Sequence, residues 1–185
     1  HSVPHAHAII VHTKQGVIVH SGDFKLDLTP VDGRRTDLAR LGELSSTVGI
    51  RLLMCDSTNA EEKGHAPSET SVGAVLRGLF HDHRDRRIIT ASFASHIHRV
   101  QQIIDTALEQ DRRVALLGRS MQRNVRLAID LGLMRVPASA FIDAEKISEL
   151  PPHKVCVIST GSQGEPMSAL SLLSRGESKW LKVGA

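Results

Sequence analysis

Aromatic residues and cysteines are scarce in this sequence. Phe and Trp together make up 3% of the 185 residues and Tyr does not occur, so we do not expect a binding surface that depends mainly on stacked aromatic rings. The two cysteines, Cys55 and Cys156, lie inside apolar runs, where we predict buried thiols and hence a cytosolic compartment. No apolar run is long enough to span a bilayer, so no transmembrane helix is expected.

Charge of one sign does not dominate either. Lys and Arg number 23 against 20 Asp and Glu, and the net charge of +3 is compatible with an anionic partner without requiring one. A chain of 185 residues can form one sizeable core, or a small domain with part of another. Because the chain begins with His1 rather than Met and shows no signal peptide, we expect it to be a piece of a longer protein.

The first third of the sequence predicts two strands, a helix and a third strand. The segments AHAIIVHT and GVIVHSGD are joined by residues 14–16, a loop length typical of a hairpin. Leucines at helical spacing follow Asp37, and Gly49 is the predicted helix stop. The third strand, IRLLMCDST, is predicted to be buried and to end at Asp56. The polar segment NAEEKGHAPSE then marks a boundary, which gives predicted domains at 1–66 and 67–185.

From residue 68 onward the sequence alternates helices with strands. The amphipathic helices SETSVGAVLRGLFHDH, SHIHRVQQIIDTALEQ and SMQRNVRLAIDLG alternate with the apolar strands RIITASF, RVALLG and KVCVIST. Continuous apolar strands separated by amphipathic helices predict a parallel sheet with helices covering its faces. The predicted fold class is therefore α/β.

Three of these predicted strands end in Ser, Thr or Gly, just before a predicted helix. The segments are TASFASHIHR, LLGRSMQR and STGSQGEPMS, and open parallel sheets bind their ligands at this edge. Small residues, hydroxyl groups and helix N-termini together favour a phosphate, and arginines add charge-assisted hydrogen bonds. Ordinary helix capping by Ser and Thr is the alternative at each turn. The candidate phosphate-binding residues are Ser95, His98, Arg99, Arg119, Ser120, Thr160, Gly161, Ser162 and Gln163, with Arg123 nearby.

An acidic residue follows the second apolar strand, in the segment VIVHSGDFKLD. In one interpretation Asp23 starts a β-turn or caps a local segment, and His1 is a terminal residue without a role. In the other, the carboxylate and a neutral imidazole bind a divalent ion such as zinc or manganese. Two side chains do not complete such a site, since zinc takes three or four protein ligands.

Six motifs, taken in order, resemble those of the ribonuclease J family. They are HSVP, VHSGDFKLD, MCDSTNAE, SFASHIHRVQQII, GRSM and STGSQGEPMSAL, and they cover nearly the whole chain. This family comprises bacterial ribonucleases of the metallo-β-lactamase superfamily that carry a β-CASP insertion. The resemblance implies part of a metallo-β-lactamase domain at 1–66, followed by a Rossmann-like β-CASP domain at 67–185 that is incomplete at its C-terminus.

The resemblance also implies roles for the residues that match the family's motifs. His1 matches a metal-binding histidine, and Asp23 matches the GDFK aspartate that bridges two metal ions and is therefore also catalytic. Asp56 of DSTN matches the acidic motif beside the catalytic centre, which hydrogen-bonds a histidine late in the β-CASP region. The chain departs from the family at His5, where Asp is more frequent, and at His96, where Asn is usual. The HxHxDH motif, which supplies most of the metal ligands, does not occur in the sequence.

The function implied by the resemblance is metal-assisted hydrolysis of RNA phosphodiester bonds, both 5′ to 3′ and internally, in mRNA decay and rRNA maturation. The implied cofactors are two divalent ions, zinc or else manganese, and the implied enzyme is cytoplasmic, binds RNA but no membrane, and forms a homodimer or homotetramer. We expect the chain alone to be inactive. The alternatives are a related nuclease that acts on DNA and a non-enzymatic α/β domain that binds phosphate or nucleotides.

Overall fold

The computed structural model describes residues 3–182, so His1 lies outside the described residues. Within that range the chain divides into two compact units. The first comprises Val3–Ser71 and the second begins at Val72. The division thus falls a few residues beyond the boundary expected from the sequence, and the domain bounds 1–66 and 67–185 stay a prediction.

The first unit contains a three-stranded mixed sheet and one helix. Its elements are β1 (Ile9–Thr13), β2 (Gly16–His20), α1 (Leu38–Thr47) and β3 (Ile50–Met54). The predicted hairpin is confirmed, because β1 and β2 pair antiparallel, while β3 lies parallel to β2 on its other side. The predicted helix is also confirmed. Its N-cap is Asp37, whose side chain accepts a hydrogen bond from the Arg40 N–H, and Gly49 follows its end with a φ of +80°.

The prediction that β3 is a buried strand is wrong. Leu52, Leu53 and Met54 are each more than 40% exposed, and Cys55, predicted to be a buried thiol, is exposed as well. An apolar run predicts burial only if another layer covers it. The buried hydrophobic residues among the described part of this unit are Val17, Val19 and Leu44, so the covering layer is confined to β2 and α1.

The second unit is built on a parallel three-stranded sheet in the order β4-β6-β5. Its first helix, α2, starts at the end of the first unit. The predicted alternation of helices and strands is confirmed, and with it the α/β fold class. The elements are α2 (Glu69–Asp82), β4 (Ile88–Ala91), α3 (Ile97–Glu109), β5 (Arg113–Leu117), α4 (Arg119–Asp130), β6 (Val155–Ser159) and α5 (Ala169–Ser174), with short 3-10 turns at Ala138–Ala140, Ala144–Glu149 and Pro152–Lys154.

The central strand β6 has all five of its residues buried and separates two hydrophobic clusters. Cys156 and Ile158 belong to one cluster, with Phe80 and the apolar face of α3, while Val155 and Val157 belong to the other. Alternate residues of a strand point to opposite faces, so β6 contributes to both layers. The predicted burial of Cys156 is confirmed, and this burial raises the pKa of its thiol to about 12.

The start of α2 is fixed by a carboxylate from the loop after β2. Asp27 Oδ2 accepts hydrogen bonds from the Glu69 N–H (2.9 Å) and from Ser68 Oγ (3.1 Å), while Oδ1 accepts one from the Thr29 N–H (3.0 Å). Burial acts to raise the pKa of Asp27, but these three hydrogen bonds and the nearby Lys25 ammonium outweigh it and hold the pKa below its usual value. The charged form of Asp27 is therefore the one that the fold stabilises.

The segment after α2 is fixed by a buried arginine. Arg112 donates hydrogen bonds to the backbone carbonyls of His83 (3.2 Å), Arg84 (3.1 Å) and Arg86 (2.8 Å). Its guanidinium also lies 5.7 Å from the centre of the Phe80 ring, a distance that allows a cation–π contact. Because the side chain is 1% exposed, these carbonyls take the place of water around the charge.

We expect Asp27→Asn to lower the free energy of unfolding by about 1–2 kcal/mol at neutral pH. Asp27 accepts through both of its oxygens, whereas an asparagine has one acceptor and must turn its NH2 group towards a donor. Since the pKa of Asp27 is lowered on folding, its contribution is present above about pH 3.8 and is lost as the pH falls further. Urea unfolding at neutral pH and at pH 3 measures both effects.

The control is Asp37→Asn, because Asn caps a helix about as well as Asp. This variant should unfold like the wild type at neutral pH. A difference between Asp27→Asn and the wild type that stays constant on acidification would contradict the role assigned to the Asp27 charge.

Candidate functional site

Asp23 and Asp56 lie at the same edge of the first unit's sheet. Because β2 and β3 are parallel, with His20 paired to Met54, the residues that follow them leave the sheet side by side. Ser21 joins the two chain segments: its N–H donates to the Met54 carbonyl (2.9 Å), and its Oγ accepts from the Asp56 N–H (2.9 Å). The two acidic residues predicted to be catalytic therefore follow two strand ends that are hydrogen-bonded to each other.

Asp56 is held in place by three hydrogen bonds. The Thr58 hydroxyl donates to its Oδ1 (2.7 Å), and so does the Thr58 N–H (3.0 Å). Together with a hydrogen bond from the Phe24 N–H, these contacts hold the pKa of Asp56 below its usual value. Since Phe24 is the neighbour of Asp23 in the GDFK turn, the orientation of one carboxylate is linked to the backbone that carries the other.

The GDFK turn also passes close to the segment that follows HSVP. Gly22 has a φ of +61°, and a Cβ at this position would lie 3.1 Å from the carbonyl oxygen of His7. Glycine is therefore required both by the backbone conformation and by the close approach of residue 7. This contact places the chain just after the HSVP motif against the turn that carries Asp23, whereas the predicted ligand His1 lies outside the described residues.

The described residues do not form a complete metal site. No three His, Cys, Asp or Glu residues between positions 3 and 182 are grouped closely enough to hold an ion. Asp23 is exposed on its turn, and Asp56 uses its Oδ1 for the bonds from Thr58. This part of the chain therefore contains two linked acidic residues, which are too few ligands for a metal centre.

In the second unit, the three predicted strand ends meet at one edge of the sheet. The Ser92 N–H after β4 donates to the Ser159 carbonyl at the end of β6 (3.0 Å). On the other side of β6, a Cβ at Gly118 would lie 2.8 Å from Thr160 Oγ1, so the turn after β5 also packs against the turn after β6. The predicted convergence of the three turns is confirmed.

A groove with a volume of about 830 Å³ opens at the β5–β6 side of this edge. Its residues include Gly118, Arg119, Ser120, Arg123 and Thr160. A smaller groove of about 430 Å³ continues along α4, where Arg119, Arg123 and Arg126 line it. These positions follow the i, i+4, i+7 spacing of one helix face, so the face of α4 beside the groove is positively charged.

The other candidate residues lie outside this groove. Ser95, His98 and Arg99 lie at the start of α3, which follows β4 on the opposite side of the central strand. Gly161 is buried in the turn after β6, while Ser162 and Gln163 are exposed on the loop that leads to α5. The structure thus groups Arg119, Ser120 and Thr160 of the predicted set and leaves the remainder along the same edge.

Capping by the predicted serines does not occur in two of the three turns. The N-cap of α3 is His96, whose Nδ1 accepts from the Arg99 N–H (3.3 Å), and not Ser95. The N-cap of α4 is Gly118, which has a φ of +102° and provides no side-chain hydrogen bond, so Ser120 is not a cap either. In the third turn Thr160 Oγ1 accepts from the Ala169 N–H at the start of α5, although at a long 3.4 Å. The capping alternative is wrong for Ser95 and Ser120. In the third turn the N-cap of α5 is Ser168, and Thr160 adds only this long hydrogen bond.

Among the groove residues that sequence reasoning missed are Lys179 and Trp180. The Lys179 ammonium lies 4.0 Å from the centre of the Trp180 ring. Both residues are about 60 positions along the chain from Arg119, and no periodicity connects them. The sequence gives one indication of this pair, because its single Trp directly follows a Lys.

The second unit has the fold of a parallel α/β domain, a fold in which ligands bind at the carboxyl edge of the sheet. The family model described as Ribonuclease J, beta-CASP domain, matches residues 85–185. The chain belongs to the ribonuclease J family. Within residues 3–182 there is no helix with the length and apolar character needed to cross a membrane.

Curated relatives are similar over nearly the whole chain. Ribonuclease J of Mycobacterium tuberculosis is 51% identical over 185 residues, which is 100% of this chain and 33% of the relative. Ribonuclease J of Mycolicibacterium smegmatis is 48% identical over 177 residues (96% and 31%). That of Thermus thermophilus is 41% identical over 174 residues (94% and 30%). The chain therefore spans about a third of the length of these relatives.

Proposed function

We propose that the chain is part of a metal-dependent ribonuclease that hydrolyses RNA phosphodiester bonds, from the 5′ end and internally, in mRNA decay and rRNA maturation. The proposed enzyme is cytoplasmic, has no membrane partner and assembles as a homodimer or homotetramer. The observation that carries the proposal is the hydrogen-bonded junction of the Asp23 and Asp56 turns in a chain of the ribonuclease J family.

The proposed cofactors of the whole enzyme are two divalent metal ions, with zinc favoured and manganese as the alternative. Since residues 3–182 contain no complete ligand group, the other ligands would come from outside them, including His1. In this proposal Asp23 would be the ligand shared by the two ions, and Asp56 would orient a histidine beside them. In the same proposal, the second unit binds the phosphates of RNA at the carboxyl edge of its sheet.

Incubation of the full-length protein with 5′-monophosphorylated RNA and with DNA of the same sequence tests the reaction. Metal-dependent shortening of the RNA alone is the expected result. Cleavage of DNA with the RNA left intact would favour the related DNA nuclease, and binding without any cleavage would favour a binding domain.

We expect Arg119→Ala to weaken RNA binding to a similar degree for every RNA sequence. Arg119 lies at the first position of α4, beside the uncapped backbone of Gly118 and inside the groove. Loss of one phosphate contact should flatten the dependence of log affinity on log salt concentration by about one unit. Filter binding or fluorescence anisotropy over a salt series, using a catalytically inactive full-length protein, measures this slope.

Arg113→Ala is the matched control, because Arg113 is exposed at the first position of β5 and therefore lies at the opposite edge of the sheet. This variant should keep the wild-type slope. Equal slopes for the two variants would mean that the positive charge beside the groove contributes no specific phosphate contact.

A further inference from the structure

The groove of the second unit has a wall that the strand-end turns do not form. Trp180 is half-buried and packs against the hydrophobic cluster that contains Leu173 and Leu181. The Lys179 ammonium lies over its ring, 4.0 Å from the ring centre. The indole thus packs on the core, and the flexible side chain of Lys179 covers one face of its ring.

The groove is also lined by positive charge. Arg119 and Arg123, one helical turn apart on α4, line the same groove as Lys179 and Trp180. The first turn of α4 carries the partial positive charge of a helix N-terminus, and its cap residue, Gly118, provides no side-chain acceptor. Glu177 also lines the groove, but its carboxylate is paired with Arg175 at 3.1 Å, which offsets its charge.

We propose that this groove is a nucleotide subsite, in which one base stacks on Trp180 while Arg119 and Arg123 hold the adjacent phosphates. The assignment of the bound polymer as RNA rests on the proposed function. About 830 Å³ lies within the range of volumes, roughly 300–1,000 Å³, that pockets for small ligands have. The groove therefore offers room for a nucleoside unit as well as charge for its phosphates.

Lys179 is displaced from the ring when the base binds. A lysine over an exposed aromatic ring is only weakly attracted to it, whereas a base on the same ring gains from stacking and from removal of apolar surface from water. The released ammonium remains on its flexible stem, within reach of the phosphate next to the stacked base. The subsite thus combines sequence-tolerant stacking with electrostatic contacts, a combination found in proteins that bind single strands.

The fluorescence of the chain provides a direct test, because it contains one Trp and no Tyr. A short oligoadenylate should quench the emission of Trp180 as it binds, since a stacked base contacts the indole. Inorganic polyphosphate of matched charge should bind through the arginines and leave the emission nearly unchanged. Equal quenching by both, or binding of the oligoadenylate without quenching, would overturn the stacking role of Trp180.

Variants provide a second test, in which the affinity for labelled oligoadenylate is measured by fluorescence anisotropy. Trp180→Leu should weaken binding by about 5- to 100-fold, the range for loss of one stacked base, while Trp180→Phe should restore most of the affinity. Neither variant should change the affinity for polyphosphate, and circular dichroism checks that both are folded. If Trp180→Leu does not fold, Trp180→Phe and the quenching measurement still show whether a base stacks on Trp180.

The same data separate the subsite from the function on which it rests. Normal oligoadenylate affinity for Trp180→Leu, together with weakened binding for Arg119→Ala, would remove the stacking subsite and leave the phosphate-binding edge intact. No binding of oligoadenylate by the wild-type chain at low salt would overturn the subsite, whereas the proposed reaction stands or falls with RNA cleavage by the full-length protein.

Discussion

RNA hydrolysis by the full-length enzyme should be lost when Asp23 is replaced by alanine, while its melting temperature stays close to that of the wild type. Substitution of residues that only support metal ligands commonly costs about 10- to 100-fold in activity or affinity, and loss of a proposed bridging ligand should exceed that range. The small effect on stability follows from the exposure of Asp23, which lies on a turn outside the hydrophobic core. Initial rates on 5′-monophosphorylated RNA and thermal unfolding of the same preparation measure the two quantities.

Asp32→Ala is the matched control, because Asp32 is another exposed aspartate in a loop of the same unit, where it accepts a hydrogen bond from the Arg34 N–H. It should retain near-normal hydrolysis. If Asp23→Ala keeps wild-type turnover with its metal content unchanged, the metal-bridging role proposed for Asp23 is wrong.

Replacing Gly161 by alanine should lower the free energy of unfolding by about 2–4 kcal/mol. Gly161 has a φ of +114°, and a Cβ there would lie 2.8 Å from Ser168 Cβ and 2.9 Å from Leu170 Cβ. Ser168 is the N-cap of α5 and accepts from the Ser171 N–H at 3.2 Å, so displacing it also weakens the start of that helix. Urea unfolding followed by circular dichroism measures the loss.

Gly164 provides a control within the same loop. It has a φ of +74°, but a Cβ there would meet nothing within 4 Å. Gly164→Ala should therefore show only the cost of the left-handed backbone, about 1 kcal/mol. Equal losses for the two substitutions would show that the contacts with Ser168 and Leu170 do not cause the effect at Gly161.

The secondary structure of the second unit could be predicted because its signals are local. Apolar strands and amphipathic helices each carry their own periodicity, and a parallel sheet follows from their alternation. The order β4-β6-β5 could not be predicted in the same way, since strand order depends on contacts between distant segments. The prediction that β3 is buried is wrong for a related reason: the sequence of a strand does not specify which layer covers it.

The candidate sites show the same difference between local and distant information. The adjacency of Asp23 and Asp56 follows from two motifs that each end a strand, together with the parallel pairing of β2 and β3. The convergence of the three turns in the second unit was predictable because parallel strands share one carboxyl edge. Trp180 was not, because it reaches the groove through packing on Leu173 and Leu181, and a pattern within its own segment does not reveal such packing.

Side chains from elsewhere in the chain form hydrogen bonds with the backbone at both ends of helix α2. Asp27 accepts from its first backbone N–H, and Arg112 binds the carbonyls just beyond its last turn. Isolated helices fray at their ends, where amide hydrogens exchange fastest with solvent. In α2 such fraying requires release of either a carboxylate or a guanidinium, so its terminal amides should exchange only through larger, cooperative openings.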